Sequence, residues 1–159
     1  FLHTGQNDPR PGFIEFLIKG CGKSGSVVVY NLSFESRINN ELARDFPADA
    51  ARLNEITDRM VDLMIPFRSR YLYNPQVQGS ASLKAVLPAF VPDMGYDNMA
   101  ISDGGSASRA YLGCIKGTAA VTKREKNAIY RQLREYCEQD TYAEVKLLEV
   151  LYKAGDQPL

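Results

Sequence analysis

The most constraining stretch of this chain is Ser26-Val27-Val28-Val29-Tyr30, a continuous β-branched run between two helical patterns. Such a run predicts a short strand buried on both faces, as in the parallel sheet of a layered α/β protein. Upstream, Asp8-Pro9 opens a helix: Asp suits the N-cap and Pro the first helical position. Phe13, Phe16 and Leu17 fall on one face, and Gly20 and Gly22 stop the helix. Downstream, Asn31 ends the strand. Ser33 is read as the cap of a second helix whose inner face holds Phe34, Ile38, Leu42 and Phe46.

The rest of the chain is mainly helical in pattern. Pro47 starts a third helix with Leu53, Ile56 and Met60 at helical spacing. Val61-Asp62-Leu63-Met64-Ile65 reads as a second short strand closed by Pro66, and 68–79 reads as loop. Ser80 or Ser82 caps a short helix through Phe90. Gly104-Gly105 makes a turn, and Ser106 caps a helix to about Ile115. From Thr122 to Lys153 the pattern is helical, with Ile129, Leu133, Tyr136, Val145, Leu148 and Leu151 inward. No repeat or low-complexity stretch interrupts residues 1–159, so a single mixed α/β, helix-rich domain is expected.

Composition excludes several classes. With 45% hydrophobic residues and 19 Lys+Arg against 19 Asp+Glu, the chain is neither disordered nor a basic nucleic-acid coat. No run approaches the roughly 18 apolar residues of a membrane span. Three scattered cysteines, Cys21, Cys114 and Cys137, fit a reducing cytoplasm better than a disulfide scaffold. They lack zinc-site spacing, and His3 is the only histidine.

Three local patterns are set aside. Gly22-Lys23-Ser24 resembles the tail of a phosphate-binding loop, but Leu17 stands where the first glycine belongs. The segment also follows a helix and precedes a strand, so no helix N-terminus faces a phosphate. Asp103-Gly104-Gly105-Ser106 lacks the alternating ligands of a calcium loop. The mixed-charge face around Lys123, Arg124, Lys126, Arg131 and Arg134 reads as a solvated surface.

Two groups of residues carry chemistry. Tyr136 and Asp140 are four apart in a helix, so a phenol and a carboxylate share one face. A carboxylate that holds a divalent metal, beside a phenol that orients water, suits phosphodiester hydrolysis. A core aromatic is the plain alternative for Tyr136. Asn31 and Glu35 follow the buried strand, at the carboxyl end where α/β sheets bind ligands. Their plain alternatives are a strand stop and an acid at a helix N-terminus.

Here the chain resembles the DnaQ-like 3′–5′ exonucleases of the ribonuclease H-like superfamily, in the variant with Tyr in the last motif. Asn31, Phe34 and Glu35 resemble the second motif, with Glu in place of Asp. Tyr136 and Asp140 match the third. Glu135 stands where the His variant would need histidine, and Asp62 resembles an acid found between these motifs. A closer resemblance, in Asp8-Pro9-Arg10, 29–35, 79–88 and 136–141, is to the bacterial family named domain of unknown function 2779. That family is uncharacterised, and its members resemble these exonucleases at the carboxyl end of longer proteins.

The resemblance implies a ribonuclease H-like mixed sheet flanked by helices, with the first strands lying upstream. The opening Phe1-Leu2-His3 reads as the end of a strand, and the Asp-x-Glu first motif does not occur in the chain. Residues 1–159 are therefore read as the C-terminal part of a longer protein. The implied site has Glu35 and Asp140 as metal ligands, Tyr136 holding water or phosphate, Asn31 as positioning residue and Asp62 as an additional acid. The implied cofactor is Mg2+ or Mn2+, bound weakly here, and the implied partner is single-stranded nucleic acid. With two acids the chain alone is expected to hydrolyse nothing. A non-catalytic binding or scaffolding module is the competing reading. Exposed strand edges add a homodimer as a third.

Overall fold

The structure, a computed structural model, describes residues 1–116 and 121–156. The chain divides into two compact units. The first holds Phe1 and Asn7–Leu83; the second holds Leu2–Gln6 and Lys84–Leu159.

In the first unit, helix α1 spans Arg10–Cys21, strand β1 Val27–Val29, α2 Leu32–Asp45, α3 Ala50–Asp58, β2 Met60–Asp62 and α4 Ile65–Arg68. Both strands expected from the sequence form, but the second is Met60–Asp62 rather than 61–65: Met60 leaves the third helix for the strand, and Ile65 opens α4 with Pro66 in its first turn. They pair in parallel, with Val27 opposite Met60 and Val29 opposite Asp62. Parallel pairing requires a crossover, which α2 and α3 supply. The core of this unit is Ile14, Leu42 and Leu53, with Phe13, Leu17, Ile18, Ile38 and Phe46 packed around it.

Local detail departs from the periodicity in ways that packing explains. Pro9 is the residue before α1, and the Asp8 carboxylate accepts the Arg10 amide at 3.0 Å. Ile14 is the buried residue of α1, whereas Phe16 is 54% exposed, its ring 5.8 Å from that of Phe1. Phe34 is likewise half exposed, beneath the Arg37 guanidinium at 5.2 Å. Such a cation over an aromatic face shelters a ring without placing it in a core.

The loop after α1 settles one of the patterns set aside above. The Arg59 guanidinium donates to the carbonyls of Cys21, Gly22, Ser24 and Gly25 at 2.7–3.1 Å. These carbonyls lie at the negative end of the helix, so the loop gathers a cation with its C=O groups. A phosphate loop does the reverse, presenting N–H groups.

In the second unit, α5 spans Leu83–Phe90, α6 Gly104–Lys116 and α7 Lys123–Gly155. At 33 residues, α7 is about 50 Å long. Thr122 and Glu125 form a capping box at its start, and α6 packs against it. The helix before it is capped by Asp103 rather than Ser106: the Asp103 carboxylate accepts both the Ser106 amide and its hydroxyl. Along α7 the inward positions are Leu133, Tyr136, Ala143 and Leu147, with Val145 exposed. No helix among the described residues is long and apolar enough to cross a membrane.

Candidate functional site

In the first unit the end of β1 turns directly into α2. Asn31 takes a left-handed conformation, φ 82° and ψ 74°, which Asn tolerates better than other non-glycine residues. Its carbonyl accepts the amides of Phe34 and Glu35, starting the helix. Its side-chain oxygen accepts the Ser33 hydroxyl at 2.8 Å. Asn31 therefore fixes the first turn that carries Glu35. Glu35 is partly buried, and that burial pushes its carboxyl above the ordinary carboxylate range.

Asp62 closes the same sheet end. Its Oδ1 accepts the Asn31 amide at 3.1 Å and the Met64 amide at 2.9 Å. The structure thus brings Asn31, Glu35 and Asp62 to the carboxyl ends of the two strands. It also gives Asp62 a structural task. Asp62→Ala should strand two amides and cost about 2 kcal/mol, while Asp62→Asn keeps the acceptor and costs under about 1 kcal/mol. Urea unfolding of the two variants measures that difference. Equal losses would mean that charge, and not the acceptor, matters at this position.

In the second unit Asp140 is the acidic member of an otherwise apolar stripe. Leu133, Tyr136, Asp140, Ala143 and Leu147 recur at alternating spacings of three and four along α7. A carboxylate in such a stripe needs a partner. It has one in Tyr96, 6% exposed, whose hydroxyl donates to Asp140 Oδ1 at 2.7 Å. The rings of Tyr96 and Tyr136 lie 6.2 Å apart between centroids, and the Tyr136 hydroxyl lies near Gly104 at the start of α6.

Burial, with the adjoining Asp140 charge, pushes the Tyr136 phenol well above its ordinary value. Burial and the hydrogen bond to Asp140 do the same to Tyr96. Both phenols therefore remain protonated at neutral pH. They can donate hydrogen bonds but cannot act as bases.

Two residues of this cluster were not singled out from the sequence. Tyr96 lies in a segment with no helical or strand periodicity, so nothing in the sequence links it to Asp140. Lys84 sits on the first turn of α5. Its ammonium lies 5.4 Å from the Tyr96 ring centroid and 5.6 Å from that of Tyr136.

Glu35 and Asp140 supply hard oxygen donors, the kind that magnesium and manganese prefer. They fit in kind, but no group of three or more acids, histidines or cysteines that could hold a metal is found among the described residues.

No curated protein and no solved structure matches the chain at a significant level. A family model matches residues 1–82, just over half of the chain, and so takes in Asn31, Glu35 and Asp62. The match stops short of Tyr136 and Asp140. On that match the chain belongs to the family described as Domain of unknown function (DUF2779).

Proposed function

We propose that this chain carries part of a metal-dependent 3′–5′ exonuclease site acting on nucleic-acid phosphodiesters, within a ribonuclease H-like fold. The observation that carries the reading is Asp140: a carboxylate kept in the apolar stripe of α7, one turn from Tyr136 and held by a buried tyrosine. Half-buried positions on the inner face of a helix favour apolar side chains, so a polar pair there points to a site. The carboxyl end of β1 supplies Asn31 and Glu35, in the order that the exonuclease motifs resemble.

In this reading Asp140 and Glu35 are the metal ligands, and Asp62 is an adjoining acid whose Oδ1 is already engaged. A bound magnesium or manganese ion would acidify the attacking water and offset charge that develops on phosphate. Tyr136, protonated, donates a hydrogen bond to water or phosphate and leaves proton removal to another group. Asn31 holds the turn from which Glu35 projects.

Two carboxylates cannot balance two dications, so the chain by itself binds metal weakly and hydrolyses nothing. Incubation of the 159-residue chain with a 5′-labelled single-stranded oligonucleotide and Mn2+ checks this: the expected product is none. Degradation that is lost in Asp140→Asn would show that the site is complete in these residues.

The second reading is a non-catalytic binding module. The Tyr96 hydrogen bond favours it, because it satisfies one oxygen of Asp140 with no ion present. The two readings separate on Mn2+ binding, which the module does not require.

A further inference from the structure

We propose that Lys84 binds a phosphate of the substrate beside Asp140, an assignment that rests on the nucleic-acid reading above. The segment that carries Lys84, Ser82-Leu83-Lys84-Ala85-Val86, has no part in the metal-site reading. Helix α5 buries Val86, Leu87 and Ala89. Lys84, on its first turn, is only partly buried.

The ammonium lies over two aromatic faces, those of Tyr96 and Tyr136, at 5.4 and 5.6 Å. It also donates to the Ser102 carbonyl. Both rings belong to the group around Asp140. Among the described residues Lys84 forms no ion pair with a carboxylate. Its charge acts on Asp103 without an ion-pair contact, and an ammonium has three hydrogens to donate, of which the Ser102 carbonyl takes one.

A cavity of about 320 Å3 adjoins it, lined by Lys84, Pro88, Gly95, Tyr96, Asp97 and Ser102. That is the lower end of the range for small-ligand pockets, enough for a phosphate with part of a sugar. Asp97 in the lining and Asp103 at the start of α6 make the surroundings acidic. The site is thus no general anion trap. It suits a phosphate that arrives with other contacts, as one link of a nucleic-acid strand does.

The test measures binding rather than turnover, so it does not depend on a complete metal site. A fluorescein-labelled single-stranded 12-mer is titrated with the full chain in EDTA, at several salt concentrations, by anisotropy. Lys84→Met keeps the alkyl stem over the rings and removes the charge. It is expected to weaken binding about tenfold and to lessen the slope of log Kd against log salt by about 0.7, the share of one single-strand phosphate contact. Lys84→Arg should stay within about twofold of the parent.

An unchanged affinity and slope for Lys84→Met, with binding otherwise intact, would overturn the Lys84 assignment and leave the nucleic-acid reading standing. No binding by the parent chain would overturn both. Should Lys84→Met fail to fold, the parent chain decides: its Lys84 ε-methylene resonances must shift when the oligonucleotide is added, and unshifted resonances count against the assignment.

Discussion

Asp140→Asn is expected to weaken Mn2+ binding at least tenfold while leaving the unfolding free energy within about 1 kcal/mol of the parent. The asparagine side chain has the same shape, and its oxygen can still accept the Tyr96 hydroxyl that Asp140 accepts at 2.7 Å. The packing of the α7 stripe is therefore kept. The lost charge is what a dication needs, because hard cations bind anionic oxygen far better than an amide. Tyr96→Phe is the complementary variant. It removes the donor, leaves the carboxylate short of a partner and should cost about 2 kcal/mol of stability, while Mn2+ binding survives. Electron paramagnetic resonance of free Mn2+ reads the first quantity and urea unfolding the second. If Asp140 were only a satisfied core acid, Asp140→Asn would leave the Mn2+ titration unaltered.

Leu53→Ala is expected to destabilise the first unit by about 3 kcal/mol, the usual range for a fully buried leucine whose cavity does not collapse. Leu53 has no exposed surface, belongs to the core with Ile14 and Leu42, and sits on α3, which packs against both α1 and α2. Its truncation thus loosens three helices together. Phe34→Ala removes more side chain, yet Phe34 is 50% exposed, and it should cost less than about 1 kcal/mol. Urea unfolding of both variants provides the comparison. Equal losses would mean that Phe34 is packed as the helical pattern of α2 suggests.

That contrast shows what was legible in the sequence. The continuous β-branched run Val27-Val28-Val29 marks β1, and helical period with its turn signals marks α1, α2, α3, α5, α6 and α7, whereas α4 falls where the pattern suggested strand. Which residue of a helix faces inward was less legible. Phe16 and Phe34 have the right spacing but lie against Phe1 and Arg37, while Ile14 and Asn39 take the buried positions. Caps were less legible: Asn31 in a left-handed turn displaces Ser33, and Asp103 displaces Ser106.

The site divides in the same way. Tyr136 and Asp140 are neighbours on one helix, so their spacing reveals them. Asn31 and Asp62 end adjacent strands, and their hydrogen bond follows from parallel pairing once the register is known. Tyr96 bonds Asp140 across 44 residues of sequence. No local pattern encodes such a contact, and Tyr96 emerges only when the chain is folded. Lys84 lies in a segment that resembles the family, but its position over two rings again depends on tertiary structure.

Substoichiometric Mn2+ added to the 15N-labelled chain tests the proposed ligands one by one, through the amide resonances next to Asp140 and next to Glu35, with Asp140→Asn and Glu35→Gln as controls. The amides next to each carboxylate are expected to broaden, and each substitution is expected to abolish the broadening around its own position. Unbroadened amides next to Asp140, or broadening there that survives Asp140→Asn, would contradict its role as a metal ligand.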